Sequence, residues 1–371
     1  MTTQIAGCIL TPEGWIRGTL AFADRINAIE GRPTLEPAKD EPLVLPGFID
    51  LHVHGGGGAD VMAAHGAVDT VARLHAAHGT TSWLATTMTA PREEIATALM
   101  DVNRAMRQRP TGAARVLGVH LEGPFLNPAR LGAQPHFAHT ATLAELAALQ
   151  ALARIRVITL APEIANHLDF IGHLKNAGIA AQIGHSEAGY EEVVAALTAG
   201  VRGFTHLFNA MSPLHHRQPG VVGAALAHAE YAEIIPDLLH VHPGAIHAAR
   251  RAIPKLFGVT DATAAAGMAD GTYSLGGQTV TRCLGGVRLA DGTLAGSALT
   301  MDQAFRNFIA IGLTAQQAAQ HLSTYPADYL GEPDRGRLQP GAHADIVVFS
   351  PDLQLIRCFV EGEAIDVAKT V

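Results

Sequence analysis

Five short apolar runs, spread over about two hundred positions, each end on residues able to bind a metal or move a proton. VLPGFIDLHVH ends on His52 and His54, ARVLGVHLEGP carries Glu122, IAAQIGHS carries His185, GFTHLFNAM carries His206 and LFGVTDA carries Asp261. A closed parallel barrel brings the downstream ends of all its strands to one mouth, so it can gather side chains that are remote in sequence. Any one of these residues alone is weak evidence. Their shared position at successive strand ends makes a metal-dependent hydrolase the leading class.

The 371-residue length suits one large α/β barrel with a small added module. Hydrophobic content of 48% with 16% charged residues belongs to a chain that buries a core. A net charge of −8 without a basic tract argues against a nucleic-acid partner, and any anionic substrate must be met by local groups. Cys8, Cys283 and Cys358 form no CxxC pair and leave an odd count, which points to a reduced, cytoplasmic setting. The opening MTTQIAGCILTPEGW lacks the flanks of a secretory signal, and no apolar run reaches the roughly 18 residues of a membrane span.

From Gln4 to about Glu41 the chain reads as short strands broken by Gly and Pro, and GRLQPGAHADIVVFSPDLQLIRCFVEGEAI reads the same way near the C-terminus. The two ends are expected to pair into a small β-sandwich module, residues 1–45 with 336–371, around a catalytic barrel over 46–335. The middle alternates strand and helix. Strands are expected at 46–54, 80–87, 115–122, 155–161, 179–185, 203–208, 232–240 and 255–261. Helices are read in AVDTVARLHAAH, PREEIATALMDVNRAMRQ, TLAELAALQAL, EIANHLDFIGHLKNA and GYEEVVAALTAG, and near 298–312 and 314–330. The fold class is therefore α/β, a (β/α)₈ TIM-like barrel. The competing doubly wound sheet lacks its Gly-rich phosphate fingerprint after the first strand. The Gly-rich stretch 271–296 reads as a hairpin and loop inserted over the mouth.

Alternation along a strand sends His52 and His54 to one face, and two neutral imidazoles suit Zn²⁺ or Fe²⁺. Each candidate also has a plainer reading. The HxH can be a hydrogen-bonded pair, Glu122 an arginine-paired carboxylate, and His185 or His206 a satisfied core histidine. Asp261 can be a helix N-cap for the Ala-Thr-Ala-Ala-Ala that follows. Recurrence at equivalent strand ends favours the metal set, with Asp261 as general base toward a metal-activated water and then general acid. His65, His75, His78, His167 and His173 fall on or beside helices and are expected to face solvent.

HLEGPFLNP, IGHSEA, THLFNAMSPLHHRQPG, TDATAAAG and LAGSALTMDQA resemble the N-acetylglucosamine-6-phosphate deacetylase family of the amidohydrolase superfamily. PGFIDLHVHG and GRLQPGAHADIVVF extend the likeness over essentially the whole chain, although these two framing motifs specify only the superfamily. The resemblance implies Glu122, His185 and His206 as principal metal ligands and Asp261 as the proton carrier. It makes His52 and His54 a second metal site used by some members, hence one or two ions per subunit, zinc first and Fe²⁺ second. It places substrate contacts at Ala133, Gln134, Asn209, Ala210, Arg217, His240, Leu294, Ala295 and Gly296, with Arg217 reaching the sugar phosphate across a homodimer interface. The implied reaction is hydrolysis of N-acetyl-D-glucosamine 6-phosphate to D-glucosamine 6-phosphate and acetate. Gln134 departs from the pattern, since the family often has histidine there; its amide donates but does not titrate.

Three alternatives stand beside this reading. One is the N-acetylgalactosamine 6-phosphate epimer. Another is a cyclic-amidase or dipeptidase type, many of which bridge two metals with a carboxylated lysine on the fourth strand. Lys39, Lys175, Lys255 and Lys369 are the only lysines, and none ends that strand. The third, a non-catalytic metal or sugar-phosphate binding protein, is disfavoured by the intact ligands and Asp261.

Overall fold

Near-continuous apolar runs make the eight parallel strands of the barrel, as strands covered on both faces require. In the computed structural model, which describes residues 2–368, these are Phe48–Val53, Thr80–Thr86, Arg115–Glu122, Ile155–Leu160, Ala180–Ile183, Gly203–Phe204, Tyr231–Ile234 and Lys255–Gly258. Lys369 lies outside the described residues. The first six strands pair in sequence order and the last two form a parallel pair. Two seams close the ring. Leu207 N donates to Glu233 O at 2.9 Å between the sixth and seventh strands, and Asp261 N donates to His52 O at 2.9 Å between the eighth and first.

The outer helices follow their sequence signals. In Arg92–Arg107 the buried stripe is Ile95, Ala98, Leu99, Val102 and Ala105; Glu93 and Glu94 sit at the positive end and Arg104 and Arg107 at the negative end. Leu143–Gln150 starts where the Thr142 side chain accepts from Glu145 N at 3.2 Å. Met301–Ala310 and the segment Ala315–Leu330, which contains a π-turn over Gln320–Thr324, complete the layer.

Both termini contribute to one small β-module. Its seven-stranded sheet runs Glu363–Ile365, Leu355–Val360, Ile346–Phe349, Leu43–Pro46, Thr3–Thr11, Gly14–Phe22 and Ile26–Thr34. Phe22 and Phe359 stand on non-adjacent strands, yet their rings meet at 5.0 Å, so the sheet folds over its own core of Ile5, Ile9, Leu20, Ile346 and Val348. The other face, with Cys8, Leu10, Leu45 and Phe349, joins the barrel core. Glu361 ties the module to the barrel, accepting from Arg115 at the start of the third barrel strand and from Arg335, each at 2.5 Å.

The inserted segment forms three antiparallel strands, Gly271–Leu275, Gln278–Cys283 and Gly286–Arg288. Asp60 Oδ2 accepts from Gly276 N at 2.7 Å, fastening this hairpin beside the mouth.

Several expectations change. The fifth, sixth and eighth strands end at Ile183, Phe204 and Gly258, so His185, His206 and Asp261 lie in the turns just beyond them. The seventh strand stops at Ile234, because Pro236 has no amide to continue the ladder; His240 sits beyond it in a turn, not at a strand end. His75 and His167 do not face solvent. Both are fully buried, with His75 Nε2 2.9 Å from Gly55 O and His167 Nδ1 2.7 Å from Ala161 O. Among the described residues no helix is long and apolar enough to cross a membrane.

Candidate metal centre

The strand ends deliver His52, His54, Glu122, His185, His206 and Asp261 to one point, all of them buried. His185, His206 and Asp261 have φ of 50°, 30° and 50°, left-handed values that non-glycine residues rarely adopt. Each costs of order 1–3 kcal/mol, a strain that persists at sites where the surroundings enforce it. The turn aims each side chain inward just as the strand ends. Gly296 (φ 58°) allows the neighbouring loop to touch Asp261: an added Cβ would stand 2.9 Å from Asp261 O.

Glu122 lies at the centre. Its Oε1 is 3.3 Å from His185 Nε2 and 3.1 Å from His206 Nε2, and those two nitrogens are 3.1 Å apart. A tetrahedral zinc with bonds of about 2.0–2.1 Å holds its ligand atoms about 3.3 Å apart, so this triangle is the size of one coordination face. On the other side, Glu122 Oε2 is 3.2 Å from His54 Nε2, which lies 3.1 Å from His52 Nε2. Asp261 Oδ1 is 3.3 Å from His54 Nε2 and 3.5 Å from His52 Nε2. Glu122 thus stands between two ligand groups.

Donor chemistry gives an independent test. His185 Nδ1 lies 2.8 Å from Arg130 O, and a carbonyl only accepts, so Nδ1 carries the proton. In the neutral ring, Nε2 then presents a lone pair to the Glu122 carboxylate and to His206. That arrangement is repulsive unless a cation lies between them. Protons otherwise fill the role: burial opposes charge on His52 and His54, but Glu122 and Asp261 outweigh it, holding His52 well above its usual pKa and His54 at about 9. Burial likewise opposes ionisation of the carboxylates, yet the imidazoles hold Glu122 well below its usual range and Asp261 at about 2. A divalent cation would displace those protons. The residues fit a metal.

A cavity of about 480 Å³ opens above this centre, within the ordinary range for small-molecule sites. Ala133, Gln134, Asn209, Ala210, His240, Leu294 and Gly296 line it. His240 Nδ1 is 2.6 Å from Asp237 Oδ2; burial opposes its charge, but Asp237 raises its pKa overall. Ala295 is fully buried in the hairpin's own apolar cluster, between two lining residues. Arg217 is exposed on the loop after the sixth strand, 3.0 Å from His216 Nε2 and outside the set lining its own chain's cavity. Gln134 is committed at both ends: Nε2 donates to Glu122 Oε2 at 2.6 Å, and Oε1 accepts from Thr89 N at 2.7 Å.

Sequence reasoning missed Arg130 and Arg288, which also line the cavity, and three buried groups beneath it: Asp50, His120 and Glu233. The last three lie inside strands rather than at their ends. Their one signal is a polar residue interrupting an apolar run, as in YAEII. Asp50, its pKa raised to about 7 by burial, accepts from Thr260 Oγ1 at 2.6 Å.

Residues 43–365 match the model of the amidohydrolase family. The chain belongs to the amidohydrolase family. This amidohydrolase is 40% identical over 365 residues to the N-acetylgalactosamine-6-phosphate deacetylase of Escherichia coli O157:H7, covering 96% of this chain and 97% of that one. It is 39% identical over 350 residues to the N-acetylglucosamine-6-phosphate deacetylase of Bacillus subtilis, covering 90% and 87%. Among solved structures, an aspartate-to-alanine mutant of the Mycobacterium smegmatis N-acetyl-D-glucosamine-6-phosphate deacetylase, in complex with N-acetyl-D-glucosamine-6-phosphate, superposes with a TM-score of 0.90 at 35% identity and 99% coverage of both chains. The Thermotoga maritima N-acetylglucosamine-6-phosphate deacetylase gives 0.90 at 32% identity, covering 98% of this chain and 99% of its own. The amidohydrolase has no lysine on its fourth strand, Ile155–Leu160; Lys255 lies at the start of the eighth, 2.8 Å from Glu230.

Proposed function

We propose that this amidohydrolase hydrolyses the acetamide of N-acetyl-D-glucosamine 6-phosphate to D-glucosamine 6-phosphate and acetate, in cytoplasmic amino-sugar catabolism. The observation that carries the reading is the placement of Asp261. Its carboxylate stands 3.3 Å from His54 in the metal-ligand cluster and lines the same cavity as His240, Asn209 and Ala210. A carboxylate beside the ligand cluster thus shares one cavity with polar residues that a substrate can reach.

Glu122, His185 and His206 would hold one divalent ion and His52 and His54, with Glu122, a second; zinc suits this donor set best and Fe²⁺ next. When bound, such an ion polarises a carbonyl and brings the pKa of water to about 7 in the best zinc cases. Asp261, ionised at neutral pH, accepts the proton of the attacking water as oxygen bonds to the carbonyl carbon. It returns that proton to nitrogen as the C–N bond breaks, so acetate and the amine leave. Asn209, Ala210 and Arg217 hold the phosphate, this remote binding orients the acetamide, and His240 steadies the substrate or the developing oxyanion. Arg217, exposed on its own subunit, supplies its guanidinium to the neighbouring cavity of a homodimer.

Acetate release from four sugars tests the reading: the gluco and galacto N-acetylhexosamines, each with and without the 6-phosphate. The proposal expects the highest kcat/KM on the phosphorylated gluco sugar. Equal rates without phosphate would end the specific assignment and leave a general amidase. The galacto epimer is the second reading, favoured by the 40% identity to the Escherichia coli enzyme; a higher kcat/KM on it would select that reading.

A further inference from the structure

Glu233, on the seventh barrel strand, is fully buried beneath the ligand cluster. A buried carboxylate is costly unless paired. The groups facing it are His52 Nδ1, 3.0 Å from Oε2, and the His206 amide, which donates to the same oxygen at 3.1 Å. Its second oxygen has no hydrogen-bond partner, and His120 Nδ1 is 3.9 Å away.

His120 gives that oxygen no hydrogen bond. Its Nδ1 is 2.9 Å from Leu51 O and its Nε2 is 2.7 Å from Thr159 Oγ1, so both nitrogens are engaged. Because a carbonyl only accepts, His120 Nδ1 carries its proton toward Leu51 O and offers no lone pair to an ion shared with His52 and Glu233, although the three lie close enough for one. His52 Nδ1 is the side-chain nitrogen within hydrogen-bond distance of Glu233.

A carboxylate bonded to one ring nitrogen of a histidine fixes the proton there and leaves the other nitrogen as a lone-pair donor. Here that other nitrogen is His52 Nε2, which points at His54, Glu122 and Asp261. The single Glu233 oxygen also grips the backbone of His206, a ligand of the opposite group. We propose that Glu233 is a positioning residue that holds His52 in the tautomer needed to bind the second ion and couples the two halves of the centre through the His206 amide. The proposal rests on the two-ion reading of the site above.

Zinc content and affinity measured on the zinc-loaded full chain test it, with competing chelator in graded steps. The unaltered protein is expected to hold two equivalents. Glu233→Gln preserves the shape and should keep the ion at Glu122, His185 and His206 while weakening the second by 10- to 100-fold. A merely structural role would lower Tm and leave both affinities unchanged, and that result overturns the proposal alone. If the unaltered protein holds only one equivalent, the two-ion reading falls and this inference with it, while deacetylation on one ion stands. Because Gln at a fully buried site can prevent folding, nitrogen-15 NMR of the unaltered zinc-loaded protein provides a second measurement, with the His52 signals assigned by their loss in His52→Gln. A slowly exchanging proton on Nδ1 supports the proposal; a proton on Nε2 overturns it.

Discussion

Gln134 donates to Glu122 Oε2 at 2.6 Å, and that same oxygen stands 3.2 Å from His54 Nε2. The glutamine therefore sets which way the central carboxylate turns. Because its other end accepts from Thr89 N, it is itself held by the backbone after the second strand. Gln134→Ala should reduce metal affinity by about 10- to 100-fold, the usual result of removing a hydrogen bond to a ligand. It also leaves a buried amide unpaired, at a cost of about 1–3 kcal/mol. Metal titration and urea unfolding check the two effects; a variant with wild-type values for both contradicts this role.

Asp261→Asn keeps an oxygen facing His52 and His54 but removes the proton acceptor. Metal content should stay at the wild-type level while kcat falls by about 10²- to 10⁴-fold. Retention of more than a tenth of kcat, as estimated from acetate release, would show that another group carries the proton.

If Arg217 serves the neighbouring subunit, two inactive variants should rescue each other. In a mixed dimer of Arg217→Ala and Asp261→Asn, one cavity has the intact aspartate on its own chain and the intact arginine from the partner. Mixing the two after dissociation should restore deacetylase activity above that of either variant. Absence of rescue in verified mixed dimers confines Arg217 to its own chain.

Ions that bind only the folded state stabilise it by mass action, about 4 kcal/mol when free ion is a thousandfold above Kd. Chelation should therefore abolish turnover and lower Tm by several degrees, and added zinc should restore both. Circular dichroism melts with and without chelator read the shift. An unchanged Tm would mean that the cluster holds no ion with useful affinity.

Acid should loosen the module from the barrel at Glu361. Burial raises its pKa, but Arg115 and Arg335 outweigh that and bring it to about 2. A carboxylate with a depressed folded pKa contributes stability above its unfolded pKa of about 4.3, and loses it as pH falls toward the folded value. Stability should drop between about pH 4.5 and pH 2. In Glu361→Gln, urea midpoints across this window should show a shallower dependence; an identical slope removes Glu361 from the account.

Much of this architecture was legible because the signals were local. Apolar runs of strand length, amphipathic helices and their caps give the strand–helix alternation, and ligands at run ends mark the mouth. His52, His54, Glu122, His185, His206 and Asp261 meet as their positions required. Glu233 and His120 were not legible, because a polar residue within a strand reveals its partner only after the ring closes. His75 and His167 were misread for a related reason. Helical position cannot show that a carbonyl such as Gly55 O waits across the packing interface. The early end of the seventh strand was legible at Pro236.

The seam between the first and last barrel strands bears on how the protein is made. Asp261 reaches His52 only when the eighth strand docks against the first, where Asp261 N meets His52 O at 2.9 Å. Chains emerge from the ribosome N-terminus first. A nascent chain released just beyond the sixth strand, through His206, already contains Glu122, His185 and His206, but neither Glu233 nor Asp261. On the proposed mechanism, the means to capture an ion thus precedes the means to use it, and hydrolytic competence waits on the last strand of the ring.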